Sequence, residues 1–306
     1  MTGTMLYKLL TPQRYMDLLS KETARRIIPV DSTWYLPNLG KNGRQEFLNV
    51  ERIPNAVYFD IDDIKNNDSP YPHMAPTLET FNSKMSQLGL RQDDILVVYD
   101  RIGNFSSPRC AWTLSLFGHE NIYLLNNFNV YKALNLPLDT KRQATLTNLS
   151  PSTYKSMIDL RSKEIVSYEE MLSLVESDEL KSKYNVFDAR PLGRFKGVDP
   201  EPRTEIKSGH IPGAQPLPFF EILDSTDKTF PQDVDSMKKK LNEALAKLGD
   251  DMDANKPIIA MCGTGVTGTI IKTAFEHAGF NNVKLYDGSW TEWALKCQDV
   301  KSHLIE

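Results

Sequence analysis

Cysteine is scarce in this chain: Cys110, Cys262 and Cys297 are the three present in 306 residues. Their number is odd and they lie far apart, so neither a disulfide framework nor a CxxC metal pattern can be written from them. Such usage suits a reducing compartment. Long apolar runs are missing as well. No stretch of about 18 apolar residues occurs, and mean hydropathy is −0.41, so no membrane span is expected. Nor is there an excess of positive charge, with 36 Lys and Arg against 40 Asp and Glu for a net charge of −4. A dedicated nucleic-acid binder would carry a basic stripe to neutralise phosphates, so direct contact with nucleic acid is not expected. At 40 % hydrophobic and 25 % charged residues the balance is globular, too apolar for a disordered chain. At roughly 150 residues per domain, the length favours two domains.

The N-terminus has no basic-then-apolar secretory pattern. Residues 1–26 carry Lys8, Arg14, Lys21, Arg25 and Arg26, but Asp17 and Glu22 interrupt them. A mitochondrial presequence usually avoids acids. An ordinary first helix and a cytosolic location are therefore the default, with a mitochondrial location as the alternative.

What the chain does have is a repeat. Ile27-Ile28-Pro29-Val30-Asp31-Ser32 returns as Tyr184-Asn185-Val186-Phe187-Asp188-Ala189, and Ile53-Pro54-Asn55-Ala56 as Ile211-Pro212-Gly213-Ala214. Residues 95–100 match 257–262, and residues 118–126 match 279–287. The four matches keep their order at a nearly constant spacing of about 160 residues, which is the signature of a duplicated domain. Each copy alternates short apolar runs with helical periodicity. Ile258–Met261 suits a strand covered on both faces, and residues 266–278 place Val266, Ile270, Ile271, Ala274, Phe275 and Ala278 at helical spacing. Gly279 stops that helix, and Val283–Tyr286 gives the next strand. Residues 95–99, 108–117, 118 and 122–125 repeat the order in the first copy. This alternation predicts an α/β fold with mostly parallel sheets flanked by helices, in which ligands gather where strand ends meet helix starts. We divide the chain into residues 1–140, a Thr-, Ser- and Pro-rich linker at 141–160, and residues 161–306.

Cys262 ends a strand and opens the loop Cys262-Gly263-Thr264-Gly265-Val266-Thr267-Gly268. Successive backbone N–H groups in a tight Gly-rich turn can converge on one point, and the following helix adds about half a positive charge there. A sulfur in that place is favoured as thiolate, the nucleophilic form, and the same amides can hold a persulfide anion without side-chain cations. Cys110 falls within a predicted helix beside Ala111 and Trp112 and reads as core. Cys297, close to the C-terminus, reads as exposed.

With these motifs assembled, the chain resembles the two-domain rhodanese-type sulfurtransferases, and more closely fungal 3-mercaptopyruvate/thiosulfate sulfurtransferases linked to tRNA thiolation. The resemblance spans nearly the whole length. In the first half it rests on Val30-Asp31-Ser32-Thr33-Trp34-Tyr35-Leu36-Pro37, Asp60-Ile61-Asp62 and Ser69-Pro70-Tyr71-Pro72-His73-Met74. In the second it rests on Asp188-Ala189-Arg190, Gly193-Arg194-Phe195, Glu201-Pro202-Arg203, Gly209-His210-Ile211-Pro212-Gly213-Ala214, the cysteine loop, and Tyr286-Asp287-Gly288-Ser289-Trp290-Thr291-Glu292-Trp293. It implies two tandem rhodanese-like domains, the first catalytically inactive and the second active through Cys262. The cysteine's place in the first copy falls on Asp100, or on Arg101 if the gap is moved, and neither can carry a persulfide.

The resemblance also assigns roles. Arg194 and Arg203 hold the carboxylate and keto group of the donor, a task for which planar guanidinium forks are suited. Gly263, Gly265, Val266 and Thr267 complete the binding loop. Asp62, His73 and Thr264 form a relay that manages the proton as the pyruvate enolate leaves. Relatives commonly carry Ser at that last place, and the extra methyl of Thr264 restricts its rotamer. Arg190 reads as structural, pairing with acids at the sheet end. Thiosulfate enzymes of this kind place cations just after the cysteine, whereas Gly263 and Thr264 are neutral, so mercaptopyruvate is expected to exceed thiosulfate as donor. Acceptors implied are a small thiol, cyanide, thioredoxin or another protein, with sulfur-relay proteins of tRNA thiolation among them; neither a metal nor an organic cofactor is required.

Two rival readings compete with this one. Cysteine-dependent phosphatases share a Cys-x5-Arg loop, but the place of their arginine falls on Gly268. Losing one such oxyanion donor costs about 3–4 kcal/mol, which argues against phosphatase chemistry. A non-catalytic scaffold is disfavoured by the intact loop at Cys262.

Overall fold

The computed structural model describes residues 7–249 and 252–306. Its ten strands form two five-stranded sheets. The first contains β1 (Lys8–Leu10), β2 (Ile27–Asp31), β3 (Val57–Tyr58), β4 (Ile95–Tyr99) and β5 (Ile122–Leu125), in the order β1-β5-β4-β2-β3. The second contains β6 (Ile165–Val166), β7 (Asn185–Asp188), β8 (Gln215–Pro216), β9 (Ile258–Met261) and β10 (Val283–Tyr286), in the order β6-β10-β9-β7-β8. All pairings are parallel, and the second order is the first repeated strand for strand. The repeat in the sequence is a repeat of the fold.

The central strands β4 and β9 are buried along their whole length, as continuous Ile, Leu and Val runs require when helices cover both faces. The Ile-Pro-x-Ala motifs make the turns that lead into β3 and β8. Asn55 and Gly213 adopt φ of 64° and 86° there, and Ala56 and Ala214 donate back to Ile53 and Ile211. Asn serves where Gly stands in the other copy because its short polar side chain tolerates the left-handed region. The predicted helices run from Ser107–Leu116 and Gly268–His277, the first starting and ending one residue earlier than expected and the second shorter than its apolar pattern by two residues at the start and one at the end. They pack against each other across the boundary between the two halves.

The structure corrects the reading of the N-terminus. Residues 1–6 lie outside the described residues, and β1 precedes the helix Pro12–Lys21. The helix begins there because Thr11 caps it through Arg14 N–H and Pro12 occupies its first position, where no N–H is needed.

Residues 141–160 contain neither helix nor strand. They strap the first half through backbone bonds of Leu146 O to Tyr58 N, Ser152 N to Ser86 O and Leu160 N to Leu116 O. Beyond them, a loop of the second half folds back on the first. Asn104, Asn126 and Asn127 donate side-chain amides to Lys228 O, Phe230 O and Asp227 O at 2.7–3.0 Å. One apolar cluster runs through both halves, joining Val98 and Trp112 to Ile270 and Phe275. Among the described residues no helix is long and apolar enough to cross a membrane, and no group of His, Cys, Asp or Glu could hold a metal ion.

Candidate active site

Cys262 follows β9 directly and is 2 % exposed. Its backbone is pinned from the corner between β10 and the helix Ser289–Cys297. Cys262 N donates to Ser289 Oγ at 3.1 Å, Trp290 N donates to Cys262 O at 2.9 Å, and Thr291 N donates to Gly263 O at 2.9 Å. By contrast, the N–H groups of residues 263–267 donate to no acceptor among the described residues. They are the free donors that the Gly-rich loop leads one to expect ahead of a helix N-terminus.

The equivalent loop in the first half is filled. Asp100 follows β4 as Cys262 follows β9, which settles the alignment in favour of Asp100 over Arg101. Its Oδ1 accepts from Ile102 N and Gly103 N, and its Oδ2 from Ser106 N and Ser107 N, all at 2.8–2.9 Å. A carboxylate thus occupies the amide ring where the second half has a thiol.

A cavity of about 210 Å³ opens over Cys262. Gly263, Thr264, Val266 and Thr267 form its floor, Arg194 and Arg203 one wall, and Trp34, Phe105, Phe219 and Phe220 an aromatic wall. Residues from both halves therefore meet over one sulfur. Gly265 does not line this cavity, contrary to its expected place among the binding residues. It makes the turn instead, at φ 76°, with Asp287 O 2.7 Å and Arg109 Nη1 2.8 Å from where a Cβ would stand.

Behind the floor, His73 Nδ1 lies 3.0 Å from Thr264 Oγ1 and His73 Nε2 lies 2.9 Å from Asp62 Oδ1. Trp34 Nε1 donates to the other Asp62 oxygen at 2.9 Å, and its ring meets the imidazole edge-on. The methyl of Thr264 has not kept its hydroxyl from the imidazole. Taken alone in a Pro-rich turn, His73 reads as a surface residue, yet it is 3 % exposed. Burial holds the imidazole below its ordinary 6.5, with Arg109 and Arg203 adding to that effect and Asp62 opposing it. Burial pushes the Asp62 carboxyl up, but the bonds from His73 and Trp34 outweigh it and leave the group below the usual carboxylate range.

The two arginines differ in their surroundings. Arg194 lies on the short helix Leu192–Phe195, not in open loop, and its Nε and Nη2 donate to Glu201 Oε2. Its Nη2 also stands 3.2 Å from where a Cβ on Gly263 would be, directly over the cysteine loop. The Arg203 side chain makes no hydrogen bond or ion pair with a described residue, and only its backbone carbonyl is engaged, by Ile206 N. Arg190 behaves as expected: buried over the Trp290 ring, it donates to both oxygens of Asp188, and to Glu201 Oε1 at 2.7 Å. Asp188, Arg190, Glu201 and Arg194 thus form a chain of alternating charge that sums to zero. Arg203 is the cavity arginine with no carboxylate in contact among the described residues, with Glu205, Asp62 and Glu201 acting on it from longer range.

Sequence reasoning missed Glu201 as a holder of Arg194, gave Asp287 a place in a motif but no role, and missed Arg109 altogether. Glu201 is signalled by its motif, an acid two residues before Arg203; Arg109 is signalled only as a lone cation in an apolar helix. The other cysteines take no part. Cys110 is buried in its helix as expected. Cys297 is fully buried, which overturns the expectation of exposure, because the C-terminal turn Ser302–Leu304 folds back and Leu304 O accepts from Trp293 Nε1. The place of the phosphatase arginine holds no side chain at all. A Cβ on Gly268 would stand 3.0 Å from the Met261 backbone and from Leu285.

Known proteins share this sequence and fold. A family model described as Rhodanese-like domain matches residues 42–129 and 157–296. The protein named thiosulfate sulfurtransferase TUM1, of Saccharomyces cerevisiae, is 53 % identical over 291 residues, covering 95 % of this chain and 96 % of that one. Its crystal structure superposes with a TM-score of 0.94 at 52 % identity, over 98 % of both chains. A Schizosaccharomyces pombe protein carrying the name "Probable 3-mercaptopyruvate sulfurtransferase" is 35 % identical over 93 % of this chain and 92 % of its own. The sulfur transferase subunit of yeast mitochondrial complex I, known from cryo-EM, reaches a TM-score of 0.81 at 37 % identity over 98 % and 99 % of the two chains. The chain belongs to the rhodanese-like family and is a sulfurtransferase.

Proposed function

We propose that this enzyme moves sulfane sulfur from 3-mercaptopyruvate, and less efficiently from thiosulfate, through a persulfide on Cys262 to a thiol, cyanide or protein acceptor. The observation that carries this reading is the cavity itself, with Cys262 on its floor, Arg194 and Arg203 on one wall and the Thr264–His73–Asp62 line behind. The Cys262 thiolate attacks the donor sulfur, the carbon–sulfur bond breaks, and its electron pair leaves as the pyruvate enolate. The proton on the donor's sulfur ends on the enolate carbon, leaving Cys262 persulfide anion and pyruvate. Neutral His73, held to Asp62 by Nε2, has Nδ1 available to pass that proton through the Thr264 hydroxyl. Gly263, Val266 and Thr267 with their neighbours give amides for the persulfide charge. An acceptor thiolate then removes the outer sulfur.

Donor rank follows from charge. One unpaired guanidinium, Arg203, beside a guanidinium anchored by Glu201, suits a carboxylate monoanion better than a dianion. The relatives support both donors, since one carries thiosulfate in its name and another 3-mercaptopyruvate. In this division of labour residues 161–306 carry the nucleophile, and residues 1–140 contribute Asp62 and His73. Thioredoxin and the sulfur-relay proteins of tRNA thiolation are the proposed protein acceptors on the strength of the fungal resemblance. We place the enzyme in the cytosol with a mitochondrial share, the latter in line with the mitochondrial relative. Steady-state rates with the two donors test the rank: a higher kcat/KM for mercaptopyruvate is expected, and a strong preference for thiosulfate overturns it.

A further inference from the structure

The residue that ties the site together lies outside every motif. Arg109 stands in the first turn of the helix Ser107–Leu116, in the first half of the chain, with its guanidinium over the Trp112 ring. It reaches across the boundary: Nη1 donates to Gly265 O at 3.0 Å and to Asp287 Oδ1 at 2.5 Å, and Nη2 donates to His73 O. Asp287 follows β10 in the second half, and its Oδ2 accepts from Ala75 N at 2.7 Å. The same buried pair therefore grips the backbone on both sides of Met74 and the residue next to Thr264.

That grip falls where the backbone most needs it. His73 has φ 62°, a conformation L residues hold only when their surroundings impose it. We propose that Arg109 and Asp287 form a positioning pair that sets the His73–Thr264 contact, and with it the competence of the enzyme for donors whose leaving group must take up a proton. This rests on the relay described above. Mercaptopyruvate leaves an enolate that must be protonated at carbon. Thiosulfate leaves sulfite, with no proton to move. Misplacing the relay therefore slows the first donor far more than the second.

The test measures kcat and KM for both donors with full-length Arg109→Lys and Asp287→Asn. Both donors are assayed on one preparation, so that any unfolded fraction cancels in their ratio. Asn keeps the shape of Asp287 and an acceptor for Ala75, and reports on the pair if Arg109→Lys does not fold. The mercaptopyruvate kcat should fall about 10- to 100-fold, the scale of a misplacement near 1 Å, with KM nearly constant. The ratio of mercaptopyruvate to thiosulfate kcat should fall about tenfold or more by the same reasoning. Equal losses on both donors, or no loss on either, overturn the proposal. His73→Gln assayed alongside separates the two layers. If it lowers the ratio and neither pair variant does, the positioning role fails alone; if it too leaves the ratio constant, the relay itself is wrong.

Discussion

At the scale of single residues, the charge state of His73 decides how the donor's proton is handled. Burial holds its imidazole below the ordinary 6.5, so the neutral form that can accept a proton prevails at neutral pH. Its protonation on acidification removes the acceptor. Mercaptopyruvate turnover should therefore be level near pH 7 and fall on the acid side below 6.5, while a matching His73-dependent limb should be missing with thiosulfate. In His73→Gln, mercaptopyruvate kcat should drop about 100-fold, at the low end of what a positioned acid–base group contributes. A pH–rate profile with both donors checks this, and an acid limb that survives the substitution contradicts it. Gly265 offers a second test. At φ 76° with a carbonyl 2.7 Å from any Cβ, Gly265→Ala combines backbone strain with a clash and should lower both the melting temperature and the rates with either donor.

At the scale of elements, the cysteine loop and its counterpart show one backbone device used in two ways. In the first half the Asp100 carboxylate takes four loop amides for itself. Asp100→Asn removes the charge and one acceptor oxygen, and should cost about 1–3 kcal/mol in denaturant unfolding, the range for leaving buried donors unsatisfied. No measurable loss would show that the carboxylate is not holding the loop. Glu201 acts differently, holding the Arg194 guanidinium and not the backbone of its short helix. Glu201→Gln should raise KM for mercaptopyruvate more than it changes kcat, because it loosens a binding guanidinium without touching the sulfur; steady-state kinetics decides. Much of this was legible beforehand. The runs Ile95–Tyr99 and Ile258–Met261 stood out because strands buried on both faces are apolar throughout. The edge strands β3, β6 and β8 did not, since two residues are too few to show any period. Cys262 and its glycines were legible because a local turn dictates their geometry. Arg109 was not, because its partners lie 36, 156 and 178 residues away and nothing local marks it. Cys297 misleads because nearness to a chain end suggests exposure, while the last residues fold back over it.

At the scale of the whole molecule, the site belongs to neither half. The sulfur and the arginines come from one, and Asp62, His73, Trp34 and Phe105 from the other. The apolar cluster is continuous across the boundary, and Tyr7 OH adds a bond of 2.7 Å to Thr273 Oγ1 on the helix after the cysteine. The two halves should therefore unfold together. Trp34 and Trp112 report on the first half and Trp290 and Trp293 on the second. Within each variant that keeps one pair, its tryptophan fluorescence and the far-ultraviolet circular dichroism of the whole chain should give coincident urea midpoints, and separated midpoints would contradict a shared core.

The central claim concerns one sulfur, and mass spectrometry reads it most directly. Protein treated with mercaptopyruvate in the absence of an acceptor, alkylated and mapped by peptide, should gain a single sulfur atom at Cys262. Cyanide should remove it, and Cys262→Ser should never acquire it. An adduct that is missing, or that sits on Cys110 or Cys297, contradicts the account.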